Sequence, residues 1–349
     1  MRTRCAVFLA ILICLPNGAV PAWAQTDWAV ERTIHIGGPG GKDYLTVDPQ
    51  THRLYVVRGR HTNVIDTTTG QVIADLQGQG NSHGVAIVPS AGRGFISDGG
   101  ADRNAGAVVV FDLKTNEILG TIPSMGDSDG IIFDPFSERV LMVSGDGNAL
   151  QTFRPDIDPK NGKMDPPIAL GGAPEYLASD GAGKVFVNLM DKNEVAVVDI
   201  ATRTVIARWP VAPGGAPVGM SIDTQKHRLF IGGRNPQKLI VMSTVDGKVV
   251  ADLPIGATVD ATQFDRGEIF VSCRDGSLIV AAETSPGKFS VVQTVKTPDG
   301  ANTMALDPVT RTIYLPTSET VPPAPGGRGR GSTKPDSFMI VVVSRGGHR

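Results

Sequence analysis

Between residues 42 and 76 the chain alternates apolar and polar positions in four short runs, DYLTVD, RLYVV, NVIDT and QVIADL. Runs of this length, rich in Val, Ile, Leu, Tyr and Thr, are strand formers. The breaks between them are turn formers. Asp48-Pro49 combines a fixed φ with a side chain that bonds its own backbone two residues on, and Thr67-Thr68-Thr69-Gly70 supplies a glycine for a positive φ. The segment predicts a four-stranded antiparallel meander.

The pattern recurs along the chain. Its first strand and turn reappear as HGVAIVP, DGIIFDP, EYLASDG, VGMSIDT, DATQFDR and NTMALDP, with the turn residue at positions 48, 88, 134, 180, 223, 265 and 307. A second strand follows each one (RLYVV, RGFIS, RVLMV, KVFVN, RLFIG, EIFVS, TIYLP), and then a third (NVIDT, AVVVFDL, NALQTF, EVAVVDI, KLIVMST, SLIVAAE, FMIVVVS). Six of the seven copies also supply a fourth. A period of 40 to 46 residues with four strands per copy predicts an all-β fold, a seven-bladed β-propeller, because one such unit cannot bury both its faces alone. The blades are expected at about 40–78, 79–123, 124–170, 171–212, 213–255, 256–297 and 298–344. The seventh copy stops after three strands. The spare segment DWAVERTIHI, residues 27–36, belongs to no copy and is expected to close the ring as its outer strand, hiding an edge.

Composition changes this picture mainly at the ends. The chain has 349 residues, 41% hydrophobic and 19% charged. Arg2 and Arg4 precede an apolar run to Leu15, and Ala22-Trp23-Ala24 makes a small-residue cleavage site, so residues 1–24 read as a signal peptide and 25–349 as a single domain. The apolar run is too short to span a membrane, and the residues around Cys14 lack the small side chains of a lipoprotein site. The protein is therefore expected to be periplasmic or secreted, and a monomer. With 33 basic and 35 acidic residues the charge is balanced, falling to about −4 without Arg2 and Arg4, which argues against nucleic acid as a partner. Cys273 is left alone in the strand pattern EIFVSCRDG, a structural thiol with no disulfide partner.

The segments GVAIVPSAGRGFIS, LTVDPQTHRLYVV, LFIGG, VIDTTTGQVIADL and VVDIATRTVIARW carry a resemblance to a known family. They resemble the YVTN-type, or YncE-like, β-propeller repeats, over essentially all of residues 27–344. The resemblance implies an exported bacterial seven-bladed propeller and implies no particular reaction; the lactonase-type propellers lie nearby. The chain departs from the name-giving tetrapeptide, with Tyr55-Val56-Val57-Arg58, Phe186-Val187-Asn188-Leu189 and Phe270-Val271-Ser272-Cys273 in its place.

In a propeller the residues ahead of each innermost strand converge on one mouth of the central channel. Five positions before each turn residue stand Asp43, His83, Asp129, Glu175, Val218, Asp260 and Asn302. Six of these could hold a divalent metal: carboxylates with Asn302 suit Ca²⁺, and His83 with two carboxylates suits a transition metal that activates water. Clustered acids also raise one another's pKa, which would offer a general base. Against this, channel mouths are wet, and polar residues there need no function.

Other features point to less. The loop Asp156-Ile157-Asp158-Pro159-Lys160-Asn161-Gly162-Lys163-Met164-Asp165 echoes a Ca²⁺ loop, but its glycine falls one place late and no Glu closes it. Residues 98–104 read as a Gly/Asp turn and His61 as a loop residue, His35, His52, His61, His227 and His348 lack metal spacing, and the glycine clusters precede no helix. The insertion 317–336, with Arg328, Arg330 and Lys334, reads as a Pro/Gly-rich loop without helix or strand.

Three function classes follow. The first is a binding or scaffold module for an unknown protein or small-molecule ligand. The second is a metal-dependent hydrolase of lactonase type using the mouth. The third, an electron-transfer propeller, lacks any Cys-x-x-Cys-His motif or cofactor-forming Trp pair.

Overall fold

The structure, a computed structural model, describes residues 27–102, 105–321 and 332–346. The expected signal peptide, Cys5, Cys14, Asn104, Arg328, Arg330 and His348 lie outside the described residues. Seven four-stranded antiparallel sheets form a ring of blades. Their innermost strands are Leu45–Asp48, Ser82–Val88, Ser128–Asp134, Pro174–Ser179, Pro217–Asp223, Val259–Asp265 and Ala305–Asp307.

The turns work as the sequence suggests. In blade 1 the Asp48 carboxylate accepts from the Gln50 amide (3.0 Å) and the Thr51 hydroxyl (2.7 Å), and His52 completes the turn at φ 55°. Asp66 likewise accepts from the amides of Thr68 and Thr69, and Gly70 takes φ 75°. The second strand of each blade is nearly all buried, because blades stack face to face. Seven apolar clusters each straddle two neighbouring blades, such as Tyr55, Val57 and Val64 against Val85, Ile96 and Val109. Each fully buried Val, Leu or Phe contributes about 1.5–3 kcal/mol relative to an exposed one, and most of that exists only when the neighbouring blade is present.

The ring closes as expected. In blade 7 the order is Trp28–His35, Met339–Arg345, Thr312–Thr317, Ala305–Asp307, so the N-terminal strand is the outermost one. It pairs antiparallel with the last strand, from Trp28 opposite Arg345 to His35 opposite Met339. Trp28 seals the joint: its ring meets Phe270 edge-on at 4.9 Å, and its backbone exchanges hydrogen bonds with the Gln293 amide of blade 6 (2.9 and 2.7 Å).

Three local readings are corrected. The insertion after Thr317 carries a small hairpin, Thr320–Val321 with Ser332–Thr333, because its ends hold β-branched residues and no proline. Asp98 and Asp102 belong to the strand Arg93–Asp102, whose pairing resumes beyond Gly99 and Gly100. His61 opens the strand His61–Asp66 and lies 2.6 Å from Asp75, where a loop was expected.

Candidate functional site

A regular strand would turn alternate side chains to alternate faces, and the mouth depends on breaking that alternation. In blades 2 to 6 the pairing of first and second strands slips where the candidate residues stand. Ser82 opposes Asp98 and Gly84 opposes Ser97, leaving His83 unpaired. Asp129 and Gly130 are skipped between Ser128 and Ile131, Glu175 and Tyr176 between Pro174 and Leu177, and Asp260 between Val259 and Ala261. Such bulges re-aim side chains. Asp43 and Asn302 lie just ahead of their strands. Val218 also sits on a bulge, but it is fully buried and its carbonyl accepts from Asn188, so blade 5 gives the mouth no ligand at this position.

The buried Arg58 fixes the approach to blade 1. Its guanidinium donates to the carbonyls of Gly37, Gly38, Pro39 and Gly41 and stacks 3.5 Å above the Phe338 ring. This holds the segment leading into Lys42 and Asp43.

Five of the six polar candidates divide into two arcs, and Glu175 joins neither through a hydrogen bond among the described residues. In the first, His83 Nδ1 lies 2.8 Å from Asp43 Oδ2 and 3.8 Å from Asp129 Oδ1. One ligand atom from each of Asp43, His83 and Asp129 falls within 4.8 Å of the others, and among the described residues this is the group of three or more such side chains able to share an ion. His83 is held from behind: the Asn81 amide lies 2.9 Å from Nε2, and Asp98 accepts from the backbone amides of Gly80 and Asn81, each at 2.7 Å. Asp129 Oδ1 is sealed from solvent and receives no hydrogen bond among the described residues.

In the second arc the groups satisfy one another. Asp260 accepts from Arg234 and from the Asn302 amide (2.5 Å), and Lys42 Nζ donates to Asn302 Oδ1 (2.9 Å) and the Pro316 carbonyl (3.3 Å). A cavity of about 340 Å³ opens beside Lys42, lined also by Arg274, Asp299, Gly300, Thr317 and Glu319.

The acids form one electrostatic unit. Burial, with the fields of Asp260, Asp43 and Asp127, raises Glu175 to about 7 against the opposing pull of Arg234. Burial raises Asp260 to about 6, with Arg234 opposing and Asp43 adding. Asp129 is raised well above the carboxylate range, by burial first and then by Asp43, Glu175 and Asp127, although His83 opposes. Burial would lower His83, but its bond to Asp43 and the fields of Asp129, Asp43 and Asp127 outweigh it and lift the imidazole to about 9. Burial and Arg274 bring Lys42 down to about 8.

Beneath these groups the channel narrows. Tyr44 and Tyr176 meet with ring centroids 4.7 Å apart. Burial and the nearby acids raise both phenols, Tyr44 well above its usual range and Tyr176 to about 12, so both stay neutral. A channel segment of about 400 Å³, lined by Val47, Ile87, Phe133, Tyr176, Gln263 and Leu306, follows.

No family model matches the chain. Among curated proteins it is 24% identical over 259 residues to the Uncharacterized protein YncE of Salmonella typhimurium, an alignment covering 68% of this chain and 69% of the relative. It is 22% identical over 250 residues to the Escherichia coli K12 protein of the same name, with the same coverage. Together with the seven blades, this places the repeats. The chain is a seven-bladed propeller similar to YncE. Solved structures support the fold alone. A chain of Kuenenia stuttgartiensis hydrazine synthase superposes with TM-score 0.68 at 15% identity (80% of this chain, 94% of that one), and a chain of a mitotic checkpoint complex with TM-score 0.73 at 13% identity (97% and 98%).

Sequence reasoning about this YncE-like propeller missed Lys42, Tyr44, Asn81, Tyr176 and Arg234. A signal existed for the tyrosines. The residues after the seven candidate positions are Tyr44, Gly84, Gly130, Tyr176, Gly219, Ala261 and Thr303, two large rings among small residues. Gly130 shows why: a Cβ there would come 2.9 Å from the Tyr176 ring. Lys42 and Asn81 have no residue of their own type at the equivalent positions of the other blades and gave no signal. Cys273 is buried and its thiol is raised to about 12, first by burial, in keeping with a structural role.

Proposed function

We propose that this YncE-like propeller is an exported binding module that takes a positively charged group, from a small molecule or a partner protein, into the channel mouth. One observation carries the reading. Burial and the field of Asp43 hold Asp129, Glu175 and Asp260 above the usual carboxylate range, over a channel narrowed by Tyr44 and Tyr176, so a cation entering there relieves repulsion that His83, Arg234 and Lys42 offset only in part. Electrostatic preference of this kind acts on ligand choice and encounter more than on raw affinity.

The test is thermal melting of chelator-treated protein with spermidine or with citrate at matched ionic strength. Spermidine is expected to raise the melting temperature and citrate to leave it unchanged, since a ligand at 100 times its Kd adds about 2.7 kcal/mol. The double variant Glu175→Gln/Asp260→Asn should lose the effect. Equal response to both additives, or an unchanged variant, sinks the reading.

A second reading, a metal-dependent hydrolase, draws on Glu175. A carboxyl titrating near 7 beside a cluster of ligating side chains suits a general base. Turnover of simple lactones or esters that is lost in Glu175→Gln supports it; no turnover with any divalent metal removes it.

A further inference from the structure

We infer that Asp43, His83 and Asp129 form a binding site for a single divalent transition-metal ion of the zinc or manganese kind. This rests on reading the mouth as a cation site and names the cation. The three side chains come from blades 1, 2 and 3, and the fold, not local sequence, brings them together. Ligand atoms bound to one such ion at about 2.0–2.2 Å lie roughly 3–3.5 Å apart. The 2.8 and 3.8 Å separations from His83 Nδ1 bracket that range, so the ion enters with only small side-chain movement.

Two further observations point to a ligand. Asp129 Oδ1 is shielded from solvent and receives no hydrogen bond, a situation that costs about 1–3 kcal/mol or more for a charged group unless something fills it. It lies on the side of Asp129 nearest His83. The imidazole is also pre-set. Asn81 contacts Nε2, Asp98 fixes the Asn81 backbone, and a Cβ on Gly99 would come 3.0 Å from Nε2, so a larger residue there would push the ring aside. Metal-ligating histidines are commonly oriented in this way through their other nitrogen. Asn81 Nδ2 faces Nε2 in the metal-free protein; with the ion on Nδ1 the ring proton sits on Nε2, and the Asn81 amide turns over to accept it with its oxygen.

The donor set selects the ion. Two carboxylates and one imidazole nitrogen suit zinc or manganese, whereas Ca²⁺ wants six to eight oxygens. Asp260 cannot add to the set, because both its oxygens are engaged by Arg234 and Asn302. The ion would therefore keep coordination positions open toward the channel.

The test is isothermal titration of the chelator-treated chain, purified without a polyhistidine tag, with ZnCl₂, MnCl₂ and CaCl₂. One equivalent of Zn²⁺ or Mn²⁺ is expected, with Ca²⁺ at least about tenfold weaker, and His83→Gln and Asp129→Asn should each lose about a hundredfold in affinity. Asp158→Asn, in the loop 156–165 where its carboxylate caps the Lys160 amide, should bind as the parent does. Circular dichroism and melting of each variant show whether it is folded. Should a variant fail to fold, the imidazole NMR signals of the parent decide: one histidine, not several, must shift on adding Zn²⁺. No binding of either ion, binding unchanged in both folded variants, or Ca²⁺ binding as tightly overturns the inference. Stabilisation by spermidine without metal binding would overturn this inference alone; failure of both overturns the cation reading of the mouth as well.

Discussion

Two groups of partly buried carboxylates in this molecule have opposite characters. At the ring closure, Glu268 of blade 6 accepts from the Trp28 indole (3.3 Å), from Arg311 (2.5 Å) and from Arg345. Both guanidinium groups also lie over the Trp28 ring, at 5.3 and 5.4 Å from its centroid. One acid thus ties together the first strand, the last strand and the neighbouring blade. At the channel mouth, Asp129 has an oxygen with no donor, and no hydrogen bond reaches the Glu175 carboxylate among the described residues. Residue type and burial are similar in the two places. What differs is whether the fold supplies the partner, and under the proposed reading that separates an acid that holds the structure from one kept for a ligand.

The largest effect expected from this contrast is at the closure. Glu268→Ala leaves two guanidinium groups and an indole facing an unfilled, mostly buried site, and breaking such a pair costs about 3–5 kcal/mol. Urea unfolding should show that loss, whereas Asp129→Asn should be neutral or stabilising at pH 8. A Glu268→Ala variant that unfolds at the parent's urea concentration would erase the distinction.

The next effect is a pH dependence with a defined sign. Glu175 and Asp260 have folded pKa values near 7 and 6, above their usual carboxylate values, and His83 is raised to about 9. In each case the folded state holds the proton to higher pH than the unfolded chain does. The carboxyl contributions fall as pH rises from about 4 to about 7, and that of His83 falls between about 6.5 and 9. Lys42, lowered to about 8, acts oppositely, but only above that pH. The metal-free protein should therefore melt higher at pH 5 than at pH 8. Glu175→Gln should flatten the carboxyl part of the slope and gain on the order of 1–3 kcal/mol at pH 8. A parent protein whose melting temperature rises from pH 5 to pH 8 contradicts the assignment.

These effects also mark what could be read in advance. The wheel was legible because its determinants are local and repeated: Asp48 and its turn-residue equivalents, the buried second strands, and a leftover segment at residues 27–36 with nowhere else to pair. The ring of candidate positions followed from the same period. Its division into two arcs did not, because that depends on residues outside the period. Arg234 and Lys42 occupy the Asp260 and Asn302 side, and Asn81 and Asp98 brace His83. Arg58 stands where the repeat tetrapeptide would place Asn, and its role became visible only once four carbonyls and Phe338 were seen around it. Bulges were equally silent in the sequence, since a skipped residue changes the direction of a side chain without changing the apolar pattern around it.

The smallest expected effect is at a third acidic region, the loop from Asp156 to Asp165, where the comparison is sharpest. By composition it is the part of the chain most like a Ca²⁺ loop, yet its acids are already used. Asp156 pairs with Arg154 (3.1 Å), and Asp158 caps the Lys160 amide (2.9 Å). Asp165 accepts from Thr152 (2.7 Å) and Arg139 (2.9 Å), and these with Arg203 hold its carboxyl low although burial would raise it. An ion would have to displace contacts that the loop satisfies internally, and the exposed members gain little from it. Millimolar Ca²⁺ should therefore shift the melting temperature of the parent and of Asp158→Asn equally. A Ca²⁺-induced rise that disappears in Asp158→Asn would show that internally paired acids can still form a site, and pairing would then no longer separate structural from ligand-binding carboxylates in this protein.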